Sequence, residues 1–202
     1  MRSFAFRKCR VLLGVLLISH LLCTHVMAIE VKPGLYCDII DNTYRIEAYM
    51  SDYQIVTDTL SGDWGDALFS SFKLYGADGF DYLHEDGRPT LPFYSLDLIL
   101  PLGSTSFEVT DIQILDSTSI ILPYDYTPAQ ERVDFSDGFS FDEEYYATNS
   151  DWYEMLYSID ESNYRFYKGL NISLFPFHYE PESRRLTIIR RAVYEITFDG
   201  SN

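Results

Sequence analysis

Cysteine and histidine, the side chains that most often carry nucleophilic catalysis or bind metals, are scarce in this sequence. The 202 residues contain three cysteines and four histidines, and two of each lie within residues 1–28. Beyond them only Cys37 remains, so no disulfide can form within that part of the chain. Cys37 with His84 or His178 would be the sole thiol–imidazole pair there, and nothing in their spacing places them together. We therefore assign no catalytic residue.

Sequence motifs of the common enzyme and ligand sites are also missing. The chain has no G-x-S-x-G nucleophile elbow, no phosphate-binding glycine loop and no H-E-x-x-H zinc motif. The acidic run Asp134–Asp142 lacks the calcium-loop pattern that ends in a bidentate glutamate. The sequence accordingly predicts a protein that is not an enzyme and has neither a cofactor nor a dedicated metal site.

Positive charge is limited, with 15 Lys and Arg against 31 Asp and Glu and a net charge of −16. Residues 1–28 hold four of the basic residues and no acidic one, so residues 29–202 carry 11 − 31 = −20. A field of that sign repels the phosphates of nucleic acids and the anionic surfaces of membranes. Nucleic acid is excluded as a partner, whereas a basic protein surface or simple solubility is consistent with the charge.

The first 28 residues have the three parts of a secretory signal peptide. A basic start is followed by the apolar run Val11–Leu22 and by the small-residue end Val26-Met27-Ala28. A membrane anchor is disfavoured because a span needs about 20 apolar residues, and lipidation at Cys23 is disfavoured by the bulky Leu22 before it. We expect cleavage after Ala28, export by the Sec route to the periplasm, cell surface or medium, and no membrane span afterwards.

Alternation of apolar and polar residues, with period two, dominates residues 29–202. It is clear where Tyr44, Ile46, Ala48 and Met50, and then Leu96, Leu98 and Leu100, occupy every second position. Short strands separated by Gly, Pro, Asp and Ser are typical of sandwiches and barrels. The sequence predicts one all-β domain over 29–202, an antiparallel, jelly-roll-like β-sandwich.

Several boundaries follow from the same reading. We expect a strand from Phe107 to Ile114 with a bulge or short turn at Thr110-Asp111, and a separate short strand ending before Pro123. Tyr179–Glu182 is turn-like and leads into a hairpin-like β run over residues 186–198. Residues 61–80, rich in Gly and Asp, are expected to form a decorated loop with at most one short strand.

Residues 133–164 form an acidic segment with nine Asp or Glu and no Lys or Arg. We expect a long loop, with one or two helical turns near residues 152–158. Its aromatic residues either pack back onto the sandwich or form a partner surface, because aromatic anchors amid charge combine contact area with steering. The candidate partner-surface residues are Trp152, Tyr153 and Tyr157, followed by Arg165 and Lys168.

Four landmarks occur in a fixed order between about residues 85 and 199. They are the G-x-P-x-L-P segment Gly87–Pro92, Pro101-Leu102-Gly103, Pro128-Ala129-Gln130, and the Pro176–Pro181 turn before the last strands. In this order the chain resembles the N-terminal propeptides of gingipain-type (C25) cysteine peptidases of Bacteroidetes. The resemblance implies a β-sandwich that assists folding of a peptidase catalytic domain and keeps it latent.

In such propeptides an exposed loop presents a basic side chain to the specificity pocket of the catalytic domain. The matching position in this sequence is closest to Arg132, which follows Pro128-Ala129-Gln130 and borders the acidic segment. Arg165 and Lys168 are weaker candidates. An ordinary exposed arginine is the alternative interpretation of Arg132, since most charged residues are simply solvated.

A zymogen is expected to continue from its propeptide into a catalytic domain, whereas this sequence ends at Asn202. Three interpretations remain open. The chain is a separate inhibitor or folding chaperone that acts in trans, a truncated zymogen, or a propeptide-like fold reused as a binding module for a glycan or protein.

Overall fold

Antiparallel strands make up most of the described chain, which in the computed structural model comprises residues 29–50, 53–62, 65–74, 80–85, 87–130, 141–147, 155–163 and 167–199. These residues include one short helix, α1 (Glu143–Ala147). The strands are β1 (Ile29–Lys32), β2 (Leu35–Ile40), β3 (Thr43–Tyr49), β4 (Tyr53–Gly62), β5 (Gly65–Leu74), β6 (Phe80–Tyr82), β7 (Pro92–Ile99), β8 (Phe107–Ile121), β9 (Tyr157–Asn163), β10 (Lys168–Leu174), β11 (Phe177–Glu180) and β12 (Arg185–Phe198). The predicted all-β class is confirmed.

β12 is the central strand of the larger sheet, which begins in the order β1-β2-β3-β12. One edge of β12 pairs with β11 over Arg185–Ile188 and with β3 over Arg191–Thr197. The opposite edge pairs with β8 along nearly its whole length. A second sheet has the order β6-β7-β10-β9, and β4 pairs with β5 in a hairpin.

The two larger sheets pack face to face, because their strands turn apolar side chains inward and polar ones outward. The side chains buried between them come from β2, β3 and β12 on one side and from β7 and β10 on the other. Two phenolic hydroxyls cross the interface: Tyr44 donates to the carbonyl of Ile99 (2.5 Å) and Tyr94 to that of Tyr49 (3.1 Å). The sandwich prediction is confirmed, including burial of alternate residues in β3 and β7.

A second apolar cluster, rich in tyrosine, packs against the first part of β12. Its buried members are Met50, Leu91, Leu122, Tyr126, Tyr145, Tyr146, Phe177, Tyr179, Leu186 and Ile188. They come from β11, β12, α1 and the segments that connect strands. This second cluster supports the candidate site described below.

Gly34, in the turn between β1 and β2, is required by a close backbone approach. Its φ is +75°, and its carbonyl accepts a 2.7 Å hydrogen bond from the N–H of Tyr49. A Cβ at this position would lie 2.3 Å from the carbonyl oxygen of Tyr49. Only glycine therefore lets this turn dock against the end of β3.

The prediction of a loop over residues 61–80 is wrong in its described part. β5 extends for ten residues and pairs with β4 in unbroken register from Tyr53↔Leu74 to Gly62↔Gly65. Pairing within the hairpin, and the backbone hydrogen bonds of Ser70 with Asp125 and Thr127, outweigh the low strand propensity of Gly and Asp. Such long-range contacts cannot be predicted from local propensity alone.

Two strand boundaries also differ from the prediction. The separate strands expected on either side of residue 115 form one 15-residue strand, β8, although the bulge at Thr110-Asp111 is confirmed. The hairpin-like run over 186–198 is instead the continuous strand β12, whereas the turn before it is confirmed. Each long strand is stabilised by the other, a long-range pairing that short sequence windows do not contain.

The acidic segment is not one long loop, because it contains α1 and β9. Tyr157 and Ser158 begin β9 and pair with Leu174 and Ser173 of β10, so helical turns are absent from this described part of residues 152–158. Pairing with β10 outweighs local helical preference. Among the described residues, no helix is long and apolar enough to cross a membrane.

Candidate functional site

Two landmarks that are some 40 residues apart in the sequence lie side by side in the structure. The N–H of Gly87 donates to the carbonyl of Ala129 (2.9 Å), and the N–H of Ala129 donates to the carbonyl of Arg88 (2.6 Å). The N–H of Thr90 donates to the carbonyl of Thr127 (3.0 Å). The G-x-P-x-L-P segment thus holds the chain just before Arg132.

The chain beyond Arg132 returns to the same place. The N–H of Asp142 donates to the carbonyl of Gly87 at 3.0 Å, so both polar backbone groups of Gly87 are used. Gly87 is buried with φ +76°, a left-handed conformation that glycine adopts without strain. Residues 131–140, which we call the anchored segment, therefore run between two ends fixed to one residue; the segment itself, with Arg132, lies outside the described residues.

Arg88 reinforces this base through its side chain. Its guanidinium contacts Glu85 at 2.6 Å and Asp142 at 3.2 Å, and lies 5.6 Å from the ring centre of Tyr145. Asp142 also accepts a 2.9 Å hydrogen bond from the N–H of Tyr145 and so caps α1. That backbone donor, together with Arg88, lowers the pKa of Asp142, and the bond to Asp142 raises the pKa of Arg88.

Tyrosine hydroxyls link α1 to the segment before Arg132. Tyr146 donates to the carbonyl of Tyr126 at 2.7 Å. The hydroxyl of Tyr179 donates to Asp125 at 3.1 Å and accepts from the N–H of Tyr126 at 3.3 Å. Burial of Tyr179 and the nearby carboxylate of Asp125 raise its pKa, so this hydroxyl stays protonated as a donor. These bonds tie α1 and β11 to Asp125 and Tyr126, a few residues before Arg132.

Ser70 of β5 attaches the hairpin to the same base. Its N–H donates to the carbonyl of Asp125 (2.7 Å), and its carbonyl accepts from the N–H of Thr127 (2.8 Å). Its hydroxyl donates to the carbonyl of Tyr124 at 3.0 Å, which explains why a fully buried serine is tolerated here.

An open cleft of ≈ 650 Å³ lies between β5 and the start of α1. Its lining combines apolar groups with three carboxylates: Ala67, Leu68, Phe69, Phe141, Asp125, Asp142 and Glu143. Phe141 is stacked on Tyr146, with ring centres 4.3 Å apart. A lining that combines apolar side chains with carboxylates suits a cationic group carried on an aliphatic stem, the chemistry of a lysine or arginine side chain.

The sequence-predicted site residues do not form one cluster in the described part of the chain. Arg132, Trp152, Tyr153 and Arg165 all lie outside the described residues. Tyr157 is half-buried in β9 and packs against the sandwich core. Lys168 lies at the other end of the β9–β10 pair, where Nζ donates to the carbonyl of Thr105 (2.9 Å) and lies 3.5 Å from Glu161.

Sequence reasoning missed the residues that anchor residues 131–140. Glu85 and Asp142 were not predicted as site residues, and Gly87 and Arg88 were named only as parts of the G-x-P-x-L-P motif. The available signal was an aspartate followed by Glu143-Glu144, a helix-start pattern. Its ion pair with Arg88, 54 residues earlier, has no local signature.

The described residues offer no nucleophile or metal centre. Cys37 is buried in β2, and its pKa is raised to about 11, first by burial and then by Asp38. Such a thiol stays protonated and is a poor nucleophile near neutral pH. No group of three or more metal-binding side chains is found in the described ranges.

Comparison with known proteins finds similarity at the level of structure alone. No family description and no curated protein sequence matches the chain. A chain from the complex of the RgpB pro- and mature domains of Porphyromonas gingivalis matches with a TM-score of 0.62 and 14% identity, covering 84% of this chain and 87% of that one. The fold is that of a gingipain propeptide.

A second solved structure, described as giving insight into the zymogenic latency of gingipain K from Porphyromonas gingivalis, agrees. Its TM-score is 0.60 at 14% identity, with 87% of this chain and 95% of that chain covered. The resemblance to gingipain propeptides inferred from the ordered landmarks is thus confirmed for the fold.

Proposed function

We propose that this protein binds the catalytic domain of a gingipain-type (C25) cysteine peptidase without covalent chemistry, and either keeps it latent or assists its folding. The observation that carries the proposal is the anchoring of residues 131–140 at both ends on Gly87, within a propeptide fold. A segment held at its base loses less conformational entropy on binding than a free one. This is the property expected of an inhibitory element.

Arg132 is the proposed inhibitory side chain. In the sequence it follows Gln130 by two residues and Ala129, which is hydrogen-bonded to Gly87 and Arg88, by three. A single arginine inserted into an acidic specificity pocket gives bidentate, charge-assisted hydrogen bonds. The target proposed here is accordingly an Arg-specific peptidase.

The test is titration of the chain beginning at Ile29 into an active Arg-specific C25 peptidase, with hydrolysis of a small arginine substrate as the readout. We expect saturable inhibition that weakens at least about tenfold on Arg132→Ala, a loss of about 1.4 kcal/mol or more. Arg185→Ala is the matched control, because Arg185 is exposed and has only a 3.8 Å contact with Glu180. That variant should inhibit like the wild type.

Each alternative result has a defined meaning. Inhibition that survives Arg132→Ala would remove Arg132 as the inhibitory residue while retaining a propeptide-like inhibitor; Arg165→Ala and Lys168→Ala are then the next variants. A higher yield of active peptidase on refolding, without inhibition, would identify a chaperone. If the chain neither inhibits the peptidase nor raises the yield of active peptidase on refolding, the proposal is overturned.

Export is part of the proposal. The segment 1–28 has the charge and apolar pattern of a cleaved Sec signal, and an exported partner would meet this chain outside the cytoplasm. Detection of a mature N-terminus at Ile29 by mass spectrometry of the secreted or periplasmic protein would support it. A chain retained in the cytoplasm at full length would contradict it.

The second candidate function is a binding module for a glycan or protein. The cleft beside β5 favours it, because two aromatic rings, Phe69 and Phe141, line a groove that also has hydrogen-bonding carboxylates. Intrinsic fluorescence that changes on addition of defined oligosaccharides would support this function. A panel of glycans that leaves the spectrum unchanged would count against it.

A further inference from the structure

β8 is the longest strand among the described residues, and one of its edges has no strand partner there. In the described chain β8 pairs with β12 alone. It is 15 residues long, whereas the other edge strands of the two larger sheets, β1, β11, β6 and β9, have four, four, three and seven residues. Folded proteins keep exposed edges short or covered, because their unpaired N–H and C=O groups recruit other strands. An edge of this length is therefore a place where another strand can add.

The last part of β8 has the most regular backbone for pairing with an added strand. The register with β12 leaves Thr110 and Leu115 without opposite residues, so β8 bulges at both positions. From Ser117 to Ile121 each residue has one partner in β12, from Ile189 to Arg185. This stretch contains neither proline nor lysine, two residues that block strand addition at an edge.

The side chains of β8 define the chemistry of the partner. β8 carries Glu108, Asp111 and Asp116 and no Lys or Arg. Ile121 and Leu115 are 63% and 49% exposed. A second copy of this chain would bring 3 + 3 = 6 carboxylates onto one seam between two molecules of net charge −16, which is unfavourable. An extended strand bearing lysine or arginine complements the edge instead.

We propose that the free edge of β8, over Asp116–Ile121, binds an extended cationic strand of another protein by β-augmentation. Backbone hydrogen bonds supply the affinity, and exposed Ile121 packs against an apolar residue of the partner. Asp116 has only a loose contact with Arg190, 3.9 Å from its Nε, and its exposed carboxylate accepts a second basic group from the partner. The proposal does not depend on peptidase inhibition, since it uses neither the anchored segment nor Arg132.

The test uses the full chain from Ile29 with a fluorescein-labelled peptide of alternating residues, KVTVKVTVK. Binding is measured by anisotropy, and hydrogen exchange locates the site. We expect slower exchange at alternate amides of Ser117–Ile121, because only alternate N–H groups of an antiparallel strand face the free edge. The same peptide with N-methyl groups at alternate residues should bind at least about tenfold more weakly, because it cannot donate along one edge.

Matched variants separate edge pairing from general charge attraction. Asp116→Lys places lysine on the edge and should weaken binding about tenfold. Asp97→Lys makes the same charge change on β7, in the other sheet, and should change affinity no more than about twofold. The proposal is overturned if the peptide does not bind, or if the two variants weaken its binding equally. It is also overturned if the N-methylated peptide binds as tightly as the parent peptide, or if hydrogen exchange in β8 is unchanged by the peptide.

Discussion

At the scale of single residues, the carboxylate of Asp142 serves two partners at the base of the anchored segment. One oxygen accepts from the N–H of Tyr145 and caps α1, and the other contacts Nε of Arg88. Because Arg88 also reaches Glu85 and lies beside the ring of Tyr145, Asp142 connects the helix with the G-x-P-x-L-P segment. The cap and the ion pair can be separated by substitution.

We predict that Asp142→Ala lowers the free energy of unfolding by about 1–2 kcal/mol, because it removes both the cap and the partner of Arg88. Asp142→Asn keeps a capping oxygen and loses only the charge, so it should cost less than about 1 kcal/mol. Urea unfolding at neutral pH measures both. Asp97→Ala is the control: Asp97 accepts a 3.0 Å bond from Asn171 on an exposed face, and its loss should cost within about 0.5 kcal/mol. Equal stability of the two Asp142 variants would contradict the capping role.

Single residues also mark how far the sequence predicts this molecule. Alternation correctly placed Tyr44 and Leu96 in the core, because period two is a local property of a strand. The role of Gly87 and the ion pair of Asp142 with Arg88 could not be predicted, since these partners are 42 to 55 residues apart and meet only after the sandwich has formed. The cap that Asp142 forms on α1 is local, with Tyr145 three residues away, and does have a sequence signal. Side chains that bond across the fold leave no pattern in a short window.

At the scale of elements, the start of β8 is joined to the end of β12 by Asp199. Its carboxylate accepts from the N–H groups of Thr105 (2.6 Å) and Ser106 (2.9 Å) and from the hydroxyl of Thr105 (2.5 Å). The N–H of Ser106, and then the hydroxyl and N–H of Thr105, lower its pKa to about 2 from 3.8. Both long strands of the larger sheet are thereby fixed at one end.

We predict that this junction opens on acidification. A carboxyl whose pKa is lowered by folding stabilises the native state above its unfolded pKa and loses that contribution as the pH falls through the folded value. The amide proton shifts of Thr105 and Ser106 should therefore change between about pH 4 and pH 2, the interval between the two pKa values. Asp199→Asn should abolish the change, whereas Asp116→Asn, elsewhere on β8, should preserve it. A transition that persists in Asp199→Asn would contradict the assignment.

Element boundaries show the limit of local pattern in another way. The bulge near Thr110 was predicted because two alternating runs are out of phase there, and the register confirms it. The continuity of β8 and β12 was missed, since each strand is sustained by the other across as many as 91 residues of sequence, from Phe107 to Phe198. The β4–β5 hairpin was missed because Gly and Asp are poor strand formers, and the contacts of Ser70 outweigh that preference.

At the scale of the whole molecule, the dominant electrostatic property is the excess of acid, a net charge of −16. On the larger sheet some charges are paired, as Arg191 and Arg45 both contact Glu47. The outward positions of the second sheet include Asp97 on β7 and Asp160 on β9, the two strands that flank β10, and both are exposed. A negative field of this extent accelerates the approach of a basic partner more than it tightens the final complex.

We predict that the association rate constant with the catalytic domain proposed as partner falls at least about tenfold between 50 and 500 mM NaCl, while the dissociation rate constant changes less than about threefold. Stopped-flow or surface-based kinetics measure both. In the chain beginning at Ile29, the triple variant Asp97→Asn, Asp160→Asn and Glu161→Gln reduces the net charge from −20 to −20 + 3 = −17 and should flatten the salt dependence without changing dissociation. Arg132→Ala should raise the dissociation rate constant and leave the salt dependence of association unchanged, because a side chain buried in a specificity pocket acts after encounter. An association rate constant that does not depend on salt concentration would contradict this prediction and show that electrostatic attraction does not accelerate the encounter.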